Sequence, residues 1–148
     1  MKYPRRAMLS AGRTAAQAAL PLLVLLGMAL AACSQPYAGQ SPAYPEVRAA
    51  DSPALLRERP ELLVIDVRTP REFAGGHLEG ALNLDASAPD FEARLRELDP
   101  AAAYLVYCRS GNRSSRALPA FRELGFTDVT HMADGLLGWN AAGLPLVK

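Results

Sequence analysis

The sequence predicts an α/β domain: an open, mostly parallel five-stranded sheet flanked by helices on both faces. Three observations carry this. Short apolar runs alternate along the chain with segments of helical period. The runs are continuous, as in strands buried on both faces of a parallel sheet. The chain has 148 residues and is 50% apolar, which suits one domain with a real core.

The elements follow in order. Glu46-Val47-Arg48 reads as a short edge strand. Residues 52–58 read as a helix, with Asp51 or Ser52 as cap and Pro53 in the first turn. Leu62-Leu63-Val64-Ile65, ending at Asp66, is a buried strand, and Ala81-Leu82-Asn83-Leu84 a shorter one. Residues 90–98 place Phe91, Leu95 and Leu98 on one helical face. Residues 102–107 form the next strand. Residues 114–124 carry Ala117, Leu118, Phe121 and Leu124 in helical register, closed by Gly125. Pro119 lies inside that helix, where a proline costs about 3 kcal/mol. A kink or a late helix start is therefore expected. Residues 128–132 form the last strand. Ligand sites in such sheets lie at the carboxyl ends of strands; Asp66, Asp85, Cys108 and Asp134 fall there.

One of these ends carries chemistry. Cys108-Arg109-Ser110-Gly111-Asn112-Arg113-Ser114 joins a strand to a helix. Backbone N–H groups that curl there aim donors and the positive end of a helix dipole at an anion. Arg109 and Arg113 add positive charge. Gly111 supplies the backbone freedom of a tight loop. Ser110, Asn112 and Ser114 contribute backbone donors. This environment favours a thiolate, the nucleophilic form of Cys108.

The N-terminus reads as an address. Residues 1–14 are basic, residues 15–32 are almost wholly apolar, and Leu30-Ala31-Ala32-Cys33 follows. That tetrapeptide resembles the bacterial lipobox, in which the cysteine is acylated and becomes the mature N-terminus. The expected organisation is a signal peptide over 1–32, a lipidated flexible tether over 33–45, and a domain over 46–148. An uncleaved membrane anchor is the alternative for the apolar segment. Arg5-Arg6-Ala7-Met8-Leu9 looks like a twin-arginine export motif, and Ser34 suits outer-membrane sorting. The resemblance implies a periplasm-facing domain of the bacterial cell envelope, held to the membrane by lipid on Cys33. The only other cysteine, Cys108, is then a lone thiol, and no intramolecular disulfide can form.

Charge limits the partners. Four of the 16 basic residues lie in the first thirteen positions, and all 15 acidic residues lie from Glu46 onward. The domain is therefore mildly acidic, which argues against nucleic acid. Two histidines and two distant cysteines give no metal-ligand spacing, so no metal or cofactor is expected.

Three blocks resemble the single-domain rhodanese, or sulfurtransferase, family. The first runs from Val64-Ile65-Asp66-Val67-Arg68-Thr69-Pro70-Arg71-Glu72-Phe73 to Gly76-His77-Leu78-Glu79-Gly80-Ala81-Leu82-Asn83. The second is the cysteine loop. The third is Asp134-Gly135 with Trp139 and Gly143-Leu144-Pro145. Loops of this family resemble Cys-x-x-x-x-Arg, whereas related dual-specificity phosphatases have one residue more. Cys108 to Arg113 is six residues, so the resemblance implies sulfur transfer. It implies a Cys108 persulfide filled from thiosulfate or a persulfide donor and emptied to a thiol, a protein or cyanide. It places Asp66 and Arg68 beside the site as an ion pair or loop anchor, with Glu72 and His77 also structural. Trp139 is expected in the core, and His131 has no evident partner. A partner-docking or sulfur-delivery domain is the alternative, with a cysteine-dependent phosphatase behind it. Asp134 stands where the family often has glycine, which raises the expectation of an altered site rim.

Overall fold

The computed structural model describes residues 43–148. The expected signal peptide over 1–32, Cys33 and the expected tether up to residue 42 lie outside the described residues. The chain forms β1 (Glu46–Val47), α1 (Ser52–Glu58), β2 (Leu63–Asp66), α2 (Pro70–Ala74) and β3 (Leu82–Asn83). It continues with α3 (Phe91–Leu95), β4 (Ala103–Tyr107), α4 (Asn112–Glu123), β5 (Asp128–Met132) and α5 (Gly135–Ala141). The five strands make one sheet in the order β1-β5-β4-β2-β3. Every pairing is parallel.

The alternation of side chains along β4 explains the two layers of helix. Tyr104, Val106 and Cys108 point to one face, where Phe91 and Leu95 of α3 and Ala117 and Phe121 of α4 cover them. Leu105 and Tyr107 point to the other, under Leu136 and Trp139 of α5 and Leu55 and Leu56 of α1. All five β4 residues are buried. This is why the strand reads as a continuous apolar run. Phe121 is fully buried; truncating such a side chain to alanine removes about 3–5 kcal/mol. β2 departs from the expected burial at its first residue. Leu63 is 52% exposed, while Val64, Ile65 and Asp66 are buried.

Two helices escape the apolar pattern. Residues 70–74 are too few to show a period. Thr69 nevertheless forms a capping box, with its Oγ1 accepting from Glu72 N at 3.3 Å and its N–H donating to Glu72 Oε2 at 3.0 Å. Thr69-Pro70-Arg71-Glu72 was thus a helix-start signal. α5 has no side-chain cap. The expected late start of α4 is not found: the helix begins at Asn112 and runs on through Pro119. Gly111, at φ +83°, sets that start, and Ser115 N donates to its carbonyl at 2.9 Å. Pro119 and Ser115, the residue whose carbonyl it leaves without an N–H, both face solvent.

Contacts with the sheet begin ahead of β1. Tyr44 Oη donates to Phe126 O at 2.7 Å, and His131 N donates to Pro45 O at 2.9 Å. At the other end, His77 and Val147 exchange two backbone hydrogen bonds of 2.9 Å each.

Candidate active site

Cys108 is the first residue beyond β4, and the loop that follows turns directly into α4. Its side chain is 1% exposed and free of disulfide. Burial alone pushes a thiol pKa up. Here the Ser114 hydroxyl and the N–H groups of Ser114, Ser110 and Arg113 face the sulfur. Together they outweigh burial and hold the thiol below its ordinary value. The Ser114 Oγ–Sγ distance is 3.4 Å. The dipole of the twelve-residue α4 points its positive end the same way.

The loop keeps this shape because its carbonyls are held elsewhere. Leu136 N and Leu137 N, at the start of α5, donate to Cys108 O at 3.0 Å and Arg109 O at 2.9 Å. With those carbonyls turned to α5, the following N–H groups are free to face the sulfur. Two glycines permit the approach. Gly135 has φ +55°, and a Cβ there would overlap the Cys108 carbonyl oxygen. A Cβ on Gly111 would overlap the carbonyl oxygen of Ala133.

The charged residues divide. Arg113 is turned to Glu72 in a two-pronged ion pair of 2.8 and 3.2 Å. That bond from Arg113, despite partial burial and together with the capping contacts from Thr69, holds the Glu72 carboxyl at about 2. Arg113 therefore ties the loop to α2 as well as standing beside it. Arg109 is exposed and lines a cleft of about 440 Å³ with Arg68, Leu137 and Asn140. Ser110 is half-buried and Asn112 exposed.

Asp66 and Arg68 form a buried pair at the end of β2, with contacts of 2.6–2.9 Å. Arg68 Nη2 also donates to Gly76 O at 2.7 Å. Asp66 stands in register with Tyr107, the residue before Cys108, so the pair braces the strand end rather than the sulfur. His77 Nδ1 lies 3.0 Å from Phe73 O, a backbone carbonyl contact. Trp139 is in the core. Asp85 accepts from Ser87 N and Oγ, closing a turn. Asp134 accepts from Ala49 N at 2.8 Å. Its carboxylate also lies where a Cβ on Gly138 would be. The Asp134 side chain thus links α5 to the loop after β1. Position 134 has φ −100° and needs no glycine; position 135 does.

His131, without an evident partner in the sequence, has two in the fold. It is 3% exposed, with Nε2 2.8 Å from Ser114 Oγ and Nδ1 3.1 Å from Glu46 Oε1. The period of two was the available signal. Val129 and His131 share a face of β5, and Val129 packs with Val106 and Cys108. Among the described residues, no group of three His, Cys, Asp or Glu is placed to hold a metal.

A parallel sheet ending in a cysteine under main-chain donors defines an α/β domain built around a cysteine loop. The chain belongs to the rhodanese-like domain family, whose profile matches residues 50–142. It is 39% identical over 87 residues to the thiosulfate sulfurtransferase GlpE of Pseudomonas putida, covering 58% of this chain and 76% of that protein. It is 39% identical over 93 residues to the uncharacterized protein slr1261 of Synechocystis, covering 63% of this chain and 51%, about half, of the relative. A crystal structure of a rhodanese-related protein from Thermoplasma volcanium superimposes with a TM-score of 0.59 at 30% identity. That likeness covers 70% of this chain and 98% of the other.

Proposed function

We propose that this chain is a sulfurtransferase that carries a sulfane sulfur on Cys108. One observation supports the reading above the others: a buried, free sulfur faced by three loop N–H groups and a hydroxyl. In the first half-reaction the Cys108 thiolate attacks the outer sulfur of thiosulfate or of a persulfide. A new S–S bond forms, and sulfite or a thiolate leaves with the electron pair of the broken one. In the second, cyanide, a thiol or a sulfur-accepting protein attacks the outer sulfur of the Cys108 persulfide. Thiocyanate or a new persulfide departs, and the thiolate returns. The loop donors hold negative charge throughout, and the exposed Arg109 draws anions to the rim. The donor choice is supported by the similarity to a thiosulfate sulfurtransferase.

The test is direct. Thiosulfate added to the protein should raise its intact mass by one sulfur atom, and cyanide should remove it. Cys108→Ser should abolish the gain and give no ping-pong turnover. No gain with thiosulfate or with persulfide donors would favour a partner-docking domain instead.

The same proposal includes the address. Acylation of Cys33 would hold the domain on the periplasmic side of a bacterial membrane. A Cys33→Ala chain that still pelleted with membranes after carbonate washing would oppose the lipid anchor.

A further inference from the structure

The polar array behind the sulfur has an unequal supply of protons. Ser114 Oγ carries one hydrogen and meets three groups: Cys108 Sγ at 3.4 Å, Gly111 O at 3.0 Å and His131 Nε2 at 2.8 Å. Ser114 is fully buried and His131 3% exposed, so water does not relieve the competition. On its far side, His131 Nδ1 meets the Glu46 carboxylate at 3.1 Å. A carboxylate only accepts, so it fixes the Nδ1 proton. Neutral His131 then presents a bare Nε2, which takes the Ser114 hydrogen, and the sulfur keeps its own.

A shift of one proton along the row reverses every bond without orphaning a group. The S–H bond breaks and an Oγ–H bond forms; the old Oγ–H bond breaks and an Nε2–H bond forms. The electron pair stays on sulfur. We propose that His131 accepts the thiol proton of Cys108 through the Ser114 hydroxyl, and that Glu46 holds the resulting imidazolium. The product state has a thiolate accepting from Ser114 and the loop N–H groups. Its imidazolium donates from both nitrogens. Among the described residues, the titratable groups that hydrogen bonds link to His131 are Glu46 from β1 and, through Ser114, Cys108 at the end of β4. On α4 the neighbour of Ser114 is Arg113, which is engaged with Glu72. His131 acts through Ser114 and is a positioning residue.

This inference rests on Cys108 as nucleophile, yet it is tested without any sulfur donor. The rate of alkylation of the full chain by iodoacetamide, followed against pH, reads the thiolate fraction. His131→Gln and Ser114→Ala should each raise the midpoint by about one pH unit, a tenfold loss of thiolate below it. Glu46→Gln should raise it by less. The double variant should move it no further than Ser114→Ala alone. Because His131 is buried, the wild-type protein supplies a second reading. Ring 15N resonances of His131 should show both nitrogens protonated where Cys108 is thiolate, and Cys108→Ser should abolish that state. An unmoved profile in both Glu46→Gln and His131→Gln overturns the relay, as does an unprotonated Nε2 beside the thiolate. A protein that shows the expected profile but takes no sulfur keeps the relay and removes the sulfurtransferase reading.

Discussion

Arg113 Nη1 lies 2.8 Å from Glu72 Oε2, with a second contact of 3.2 Å between Nη2 and Oε1. The last arginine of the cysteine loop is therefore paired with a carboxylate of α2. The two side chains are 33% and 31% exposed, between a surface pair and a buried one. A forked pair of this kind should show a coupling of about 1 kcal/mol. Urea unfolding of Arg113→Ala, Glu72→Gln and their double variant checks it. Additive losses would mean that the contact contributes nothing.

The same pair predicts an acid limb. The Arg113 contact first, with the hydrogen bonds from Thr69, lowers the Glu72 carboxyl from 4.5 to about 2. A carboxylate depressed in the folded state stabilises it above its unfolded value. That contribution is lost as pH falls from about 4.5 through about 2. The stability difference between wild type and Glu72→Gln should be constant above this window and shrink within it. A difference independent of pH down to 2 would contradict the assignment.

Gly135→Ala should cost more than its left-handed φ alone would predict. It puts a Cβ into the Cys108 carbonyl at a left-handed φ of +55°. Strain and overlap together predict a loss of about 3 kcal/mol. Gly143 is the control: its φ is +68°, but a Cβ there meets nothing within 4 Å. Gly143→Ala should lose only about 1 kcal/mol. Equal thermal shifts for the two would refute the close-approach argument.

Asp134→Ala should separate stability from chemistry. It strips the acceptor from the N–H of Ala49, a fully buried residue. An unpaired buried N–H costs about 1–3 kcal/mol. Uptake of sulfur from thiosulfate, measured by mass at a temperature where both proteins are folded, should be unchanged. A changed rate would return Asp134 to the site.

Strands β2 and β4 were legible because each is a short apolar run that ends at a polar or turn residue. These are Leu62-Leu63-Val64-Ile65-Asp66 and the run through Tyr107. The cysteine loop was legible because strand end, glycine and helix start coincide at Cys108 and Gly111. α5 was not, since its start depends on contacts with Cys108 and Arg109, distant in sequence. The direction of the Arg113 side chain was hidden for the same reason: Glu72 lies forty-one positions earlier. His131 reads from sequence as one more strand residue. Its meaning comes from which face of β5 lies against α4.

Glu46 and His131 are 85 positions apart, and Tyr44 and Phe126 are 82 apart. A ribosome delivers the chain from its first residue, so β1 emerges early and β5 late. A chain stopped before residue 128 already contains Cys108 and the whole loop. It lacks the imidazole that meets Ser114 and the glycine that lets α5 grip the loop carbonyls. The order of emergence thus postpones the contacts around Cys108 until the domain is nearly complete.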